Sequence, residues 1–114
     1  MKNMIKEAPN VAQGFFDLAK SVKQYSPLDE KTNELIIIGI FAAHRGITGI
    51  GTHVMRVMEE GATKEEIIAA ILLALPIVGI TDVNLALDKA METIEMVEAQ
   101  KANKQEGEKV AAVS

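Results

Sequence analysis

Apolar residues recur at intervals of three or four along most of the chain, which is typical of helices and not of strands. The first such segment covers residues 10–25 and follows Pro9 and Asn10, two residues that suit a helix start. Its apolar positions are Val11, Phe15, Leu18 and Val22. The spacing predicts an amphipathic first helix.

A second helix is predicted over residues 29–44, with Asp29 as its N-terminal cap. At 100° per residue its apolar side chains point in every direction. They are Leu35, Ile36, Ile37, Ile38, Ile40 and Phe41. A helix that is apolar nearly all round belongs inside the fold, so we expect this one to be central.

Three more helices are predicted in the second half of the chain. One covers residues 48–60 and ends at Gly61, and the next opens with a capping box of Thr63 and Glu66 and continues to about residue 75. We expect these two to form an antiparallel hairpin. The last helix begins within residues 79–82. Its apolar positions are Val83, Leu87, Ala90, Ile94 and Val97.

The length of 114 residues fits one domain, which we place at residues 1–99. The tail, residues 100–114, is polar and is expected to be frayed or disordered. The chain is 48% hydrophobic and has no Trp, so its core is expected to consist of Ile, Leu, Val, Ala and Met. The predicted fold class is all-α. The second and fourth helices carry more apolar surface than one small bundle can bury, which predicts a homo-oligomer.

Charge and composition exclude several classes of function. A net charge of −4 offers no basic face, so nucleic acid is not an expected partner. The absence of Cys excludes disulfides, thiolate catalysis and Cys-ligated metal. The uncharged run over residues 67–81 is broken by Pro76 and is too short to span a membrane. The first ten residues lack the apolar core of a signal peptide, and a soluble cytoplasmic protein is expected.

Glu34 is the first candidate for chemistry, because it shares a helical stripe with Ile38 and Phe41. Partial burial would raise the pKa of its carboxyl towards the range useful to a general acid or base. The alternative is a surface residue in the first turn that complements the helix dipole and pairs with Lys31.

His53 is the second candidate. It lies at the border of the apolar face of its helix, where it can be a proton shuttle or a structural residue. His44, at the end of the second helix, is better explained by the helix dipole. No two of Glu34, His44 and His53 are three or four residues apart, so no metal site is expected.

Glycines at positions 46, 49 and 51 precede His53. A helix and not a strand comes before them, which argues against a phosphate-binding loop. They form either a flexible bend or, because Gly46 and Gly49 lie on the same side of a helix as His53, an empty space in which a small ligand could bind.

The segments LDEKTNELIIIGIFAA and HVMRVMEEGATKEEIIAAILLA resemble the carboxymuconolactone decarboxylase family, which includes the alkyl hydroperoxide reductase partner proteins. The resemblance covers about residues 27–95, and EEGATKEEI is its most characteristic phrase. It implies an all-α, AhpD-like bundle of about five to six helices, assembled as a trimer or hexamer.

In the thiol-bearing branch of that family, a Glu, a Cys-x-x-Cys pair and a His act together as a proton relay and disulfide centre. The resemblance places Glu34 and His53 on the acid and the His, with Gly46 and Gly49 where the two Cys would stand. A disulfide-based peroxidase activity is therefore disfavoured.

The decarboxylase branch also lacks the Cys pair, needs no cofactor, and converts a carboxylated muconolactone into an enol-lactone. The resemblance implies His53 as proton donor and Glu34 as its partner, acting on a small lactone or carboxylate. Arg45, in preference to Arg56, is the candidate for holding a substrate carboxylate. The alternative is an oligomeric member that binds a small ligand without catalysis.

Overall fold

The computed structural model describes residues 1–113, which form seven helices and no strand. The helices are α1 (Lys2–Glu7), α2 (Pro9–Tyr25), α3 (Glu30–Ala43), α4 (Ile47–Glu59), α5 (Lys64–Leu72), α6 (Leu75–Val78) and α7 (Ile80–Val113). The all-α prediction is confirmed. The two short helices, α1 and α6, were not predicted from the apolar spacing.

The local signals for helix starts are confirmed in detail. The Asp29 carboxylate accepts a hydrogen bond of 2.7 Å from the Thr32 amide at the start of α3. At the start of α5 the Thr63 hydroxyl accepts from the Glu66 amide at 3.1 Å, and the Glu66 carboxylate accepts from the Thr63 amide at 2.9 Å. Each bond satisfies an amide that the helix itself leaves without a partner.

Helix α5 ends at Leu72, three residues earlier than the sequence predicts. Pro76 explains the difference, because a proline has no amide proton and its ring clashes with the carbonyl of the residue four positions earlier. Pro76 instead lies in the first turn of the short helix α6. Gly79, with φ of +91°, then separates α6 from α7.

Helix α3 is central, as predicted, and packs against α4, α5 and α7. The predicted hairpin of α4 and α5 is wrong, because these two helices pack closely on α3 and α7 and not on each other. A helix that is apolar on nearly all sides gains most from that inner position. The buried core contains Ile38 and Ala42 of α3 together with Ile50, Val54, Val57, Ile67, Ile71, Ala74, Val83, Ala86, Ala90 and Ile94.

Helices α1 and α2 form an arm beside this bundle, since the close packing of α2 is against α1. The apolar stripe of α2 exists as predicted, but all four of its side chains are exposed. The chain is extended, with a radius of gyration of 16.6 Å, whereas a compact chain of this length has about 13 Å.

The polar tail differs from the prediction. The structure continues α7 as a helix to Val113, with exposed side chains from Glu98 to Val110. The segment is rich in Ala, Lys, Glu and Gln, which have high helix propensity. Ser114 lies outside the described residues. Within residues 1–113, none of the helices combines the length and the hydrophobicity that crossing a bilayer demands.

Candidate functional site

Glu34 and His53 meet between α3 and α4. The Glu34 side chain is 1% exposed, and its Oε2 is bonded to Nδ1 of His53. Its other oxygen, Oε1, accepts a hydrogen bond from Nζ of Lys23. Lys31, the partner expected for a surface position of Glu34, instead pairs with Glu66 at 2.9 Å. The surface alternative for Glu34 is therefore wrong.

Lys23 is the member of this cluster that the sequence did not reveal. It lies in the last turn of α2, and its Nζ also donates to Oε1 of Glu30 at 2.8 Å. The contact joins the arm to the bundle and depends on the direction in which the chain turns between α2 and α3. The visible sequence signal is a cation in the last turn of a helix, which many surface helices share.

The pKa of the Glu34 carboxyl is shifted in the direction opposite to the one that burial alone would cause. Burial is the largest single influence and raises the pKa of the Glu34 carboxyl, but the hydrogen bonds and charges of Lys23 and His53 together lower that pKa below the usual 4.5. Glu34 is therefore a carboxylate that accepts two hydrogen bonds. For Lys23, burial lowers the pKa, but the bonds and charges of Glu30 and Glu34 outweigh it and raise the pKa above 10.5.

An ionised Glu34 determines which nitrogen of the His53 imidazole carries a hydrogen. A carboxylate can only accept, so Nδ1 of His53 carries the hydrogen of their shared bond. In the neutral ring Nε2 is then the free acceptor, and in the protonated ring Nε2–H is a free donor. The His53 side chain is 15% exposed, which leaves a limited path for a proton or a ligand.

The space beside Gly46 and Gly49 is filled by Phe41, which corrects the expectation of an empty ligand space. A Cβ atom at Gly46 would lie 2.3 Å from Cδ1 of Phe41, and one at Gly49 would lie 2.6 Å from Cε1 and Cζ of the same ring. The ring also packs on the imidazole of His53, with centroids 5.3 Å apart and planes inclined by 31°. The glycines therefore accommodate an aromatic ring that covers His53.

The two arginines have different surroundings in the structure. Arg45 follows α3, is 66% exposed, and bonds through Nε to Oδ1 of Asp82. Nine residues of α3, about 14 Å of helix, separate Glu34 from Ala43, the last residue before this turn. Arg45 therefore lies at the far end of α3 from Glu34, bonded to Asp82.

Arg56 lies one turn after His53 on α4, on nearly the same side of the helix. Its side chain is exposed, and it has no ion-pair partner within residues 1–113. His44 is an exposed residue at the C-terminal cap of α3 and is not part of the site.

Metal binding at this cluster is disfavoured by its own contacts. Both oxygens of Glu34 already have partners, and one of these is the cationic Lys23. Across the described part of the chain, no three His, Asp or Glu side chains are grouped as metal ligands.

Two comparisons with known proteins are informative. The model of the carboxymuconolactone decarboxylase family matches residues 9–92. The crystal structure of apo-lpg0406, a carboxymuconolactone decarboxylase family protein from Legionella pneumophila, is similar with a TM-score of 0.72 and 28% sequence identity, over 83% of this chain and 84% of that one. No curated protein sequence matches significantly. With a family match that includes Lys23, Glu34 and His53, this chain belongs to the carboxymuconolactone decarboxylase family.

Proposed function

We propose that the protein is a cofactor-free enzyme that transfers a proton to or from a small lactone or carboxylate, with decarboxylation as the reaction that its family suggests. The observation that carries the proposal is the bond between the buried Glu34 carboxylate and Nδ1 of His53. It orients the imidazole so that its second nitrogen, Nε2, is free to exchange a proton with a bound molecule.

In a decarboxylation, the bond between the substrate carbon and its carboxylate breaks and carbon dioxide leaves. The electron pair of that bond remains on the substrate as a carbanion or an enolate conjugated with the lactone carbonyl. His53, protonated on both nitrogens, then delivers the Nε2 proton to this carbon and takes another from water. Glu34 keeps its charge throughout and is a positioning residue for His53.

Arg56 is our candidate for holding the substrate carboxylate. It is exposed and without an ion-pair partner among residues 1–113, and it lies on the same side of α4 as His53. A guanidinium can hold a carboxylate by two parallel hydrogen bonds, which would orient the neighbouring carbon towards the imidazole. Arg45 is the weaker candidate, because it is bonded through Nε to Asp82 and lies at the far end of α3 from Glu34.

The test is turnover of carboxymuconolactone and related carboxylated lactones, followed by NMR as loss of the carboxylate carbon. Replacement of His53 by Gln removes the exchangeable proton and should abolish turnover. The matched control is His44→Gln, which changes the other histidine and lies outside the site. Equal turnover by H53Q and the wild type would reject the proposal.

A second candidate is a member that binds a small ligand without catalysis, and it is favoured by the Phe41 ring, which restricts the access to His53 that proton transfer needs. The ring covers one side of His53, so a ligand must displace it or approach from another side. A thermal-shift screen of carboxylates, lactones and quinone-like compounds separates the two candidates. A compound that stabilises the protein and is recovered unchanged supports binding, whereas its consumption supports the enzyme.

Peroxidase activity through a disulfide is not proposed, because it needs two thiols and the chain has no Cys. Assembly as a homo-oligomer, a trimer or a hexamer, remains part of the proposal. Its support is the exposed apolar surface on α2 and along α3.

A further inference from the structure

A cavity between α4 and α7 has no part in the reaction proposed above. Its volume is about 220 Å³, the space of about seven water molecules at roughly 30 Å³ each. A cavity of this size suits a small molecule and not a macromolecule. It is lined by four residues of α4 and three of α7, which are Thr48, Gly51, Thr52 and Met55 with Lys89, Thr93 and Met96.

The cavity is separate from the contact between Glu34 and His53. Gly51 is two positions from His53 on α4, and side chains two positions apart on a helix point in nearly opposite directions. Gly51 faces Lys89 and Thr93 of α7, whereas His53 faces Glu34 of α3. A molecule bound in the cavity therefore lies on the other side of α4 from the imidazole.

Among the described residues that line the cavity, Lys89 is the one that is charged. Its side chain lies across Gly51, because a Cβ atom there would be 3.0 Å from Cε and 3.8 Å from Nζ of Lys89. Its one ion pair within residues 1–113 is with Glu92 at 3.7 Å, which is longer than a hydrogen bond. Lys31, by contrast, pairs with Glu66 at 2.9 Å. The Lys89 ammonium is therefore weakly paired and available to an anion.

Three threonine hydroxyls line the same cavity. Thr93 is 3% exposed, and its hydroxyl donates to the Lys89 carbonyl at 2.9 Å, so its oxygen is left as an acceptor. The Thr52 hydroxyl donates to the Thr48 carbonyl at 3.4 Å. That bond is long and weak, and Thr52 can exchange it for a stronger bond to a charged oxygen. The cavity thus offers an ammonium and a hydroxyl as donors to one anionic group.

We propose that this cavity binds a small carboxylate with a short apolar chain. The carboxylate binds the Lys89 ammonium and the Thr52 hydroxyl, and the chain lies against Met55 and Met96, which are 41% and 44% exposed. Methionine side chains are apolar and adapt to the shape of what they contact. A phosphate is a poorer match, because a thioether donates no hydrogen bond to its additional oxygens. The site does not depend on the reaction proposed for His53.

The test uses hexanoate as the probe and the full chain with ¹³C-labelled methionine methyl groups. In NMR spectra the methyl signals of Met55 and Met96 should shift saturably, with a Kd of about 1–10 mM for so small a ligand. The signal of Met4, in α1, should not shift. Hexanamide has the same shape without the charge and should bind about 10-fold or more weakly. Binding of hexanamide or inorganic phosphate as tight as that of hexanoate would overturn the proposal.

Variants of the chain locate the bound hexanoate. Lys89→Gln should weaken its binding by about 10-fold or more, and the matched control is Lys101→Gln, an exposed lysine further along α7 that should leave binding unchanged. His53→Gln should also bind hexanoate as the wild type does, which separates this cavity from the proposed reaction.

Wild-type affinity in K89Q, or loss of the two methyl shifts in H53Q, would overturn the proposal. If K89Q does not fold, Thr52→Val replaces it, because valine keeps the shape of threonine and removes the hydroxyl. T52V should bind hexanoate more weakly than the wild type, and an equal affinity would then overturn the proposal.

Discussion

The side chains of Glu34 and His53 come from positions 19 residues apart and meet in one buried contact between α3 and α4. The contact is possible because the turn after α3 reverses the chain and packs α4 along it. Lys23 then completes the environment from the arm, so that both carboxylate oxygens have a partner. Three helices thus define the charge of one carboxylate.

Replacing Glu34 by Gln should destabilise the protein at neutral pH, because Lys23 and His53 lose the anion that they face. The expected cost in free energy of unfolding is about 1–3 kcal/mol. The pKa of Glu34 is lower in the folded chain than its ordinary value of 4.5. The contribution of the carboxylate is therefore present above pH 4.5 and lost as the pH falls below it.

The measurement is urea unfolding of the wild type and E34Q at about pH 6 and about pH 3.5, at one fixed protein concentration. The difference between the two proteins should shrink at the lower pH. Glu95→Gln is the control, because Glu95 is exposed and has no ion-pair partner within residues 1–113. An E34Q difference that is independent of pH would contradict the ionised state of Glu34.

Replacing His53 by Gln should lower turnover of a confirmed substrate by about 10²- to 10⁴-fold, the usual contribution of a general acid or base. The fold should survive, since His53 is at the edge of the core and Gln retains a hydrogen-bonding group. Kinetics and the circular-dichroism spectrum of H53Q check this together. A loss of helical signal with the activity would assign His53 a structural role.

Phe41 and Gly49 should be energetically coupled. Gly49→Ala alone should destabilise the protein by about 1–3 kcal/mol, because the new methyl group overlaps the Phe41 ring. In a Phe41→Ala background the same change should be neutral or stabilising, since the clash is gone and Ala favours a helix over Gly by about 1 kcal/mol. Unfolding of the two single variants and the double variant completes the cycle. Additive effects would mean that the ring does not fill this space.

The two arginines should behave differently in kinetics. Arg56→Gln should raise KM by roughly 10- to 100-fold, the value of a hydrogen-bonded charged contact, whereas Arg45→Gln should leave KM unchanged because Arg45 binds Asp82. The measurement is KM and kcat of both variants on one carboxylated substrate. A larger KM effect in R45Q than in R56Q would show that Arg45, the residue that the sequence favours, holds the substrate carboxylate.

Features that depend on neighbouring residues were predictable from the sequence. The Asp29 cap and the Thr63–Glu66 capping box each involve residues three apart, and both are present. The central position of α3 was also predictable, because its apolar residues leave no side suited to water. These signals need no knowledge of how the helices are arranged.

Features that depend on the path of the chain were not predictable. Gly46 and Gly49 indicate that a space exists beside the helix, but not that Phe41 fills it. Lys23 is one of two lysines on its helix, and the sequence does not show that the turn after α2 brings it, and not Lys20, to Glu34. The direction of the Glu34 pKa shift follows from the same fact, since burial alone would have raised that pKa.

The most direct test is the tautomer of His53, read from the ¹⁵N NMR shifts of the two imidazole nitrogens at a pH where the ring is neutral. An ionised Glu34 that accepts from His53 requires the hydrogen on Nδ1 and a bare Nε2. E34Q should lose this preference, because an amide can present either a donor or an acceptor. A wild-type ring with its hydrogen on Nε2 and a bare Nδ1 would contradict the proton-handling couple on which the account rests.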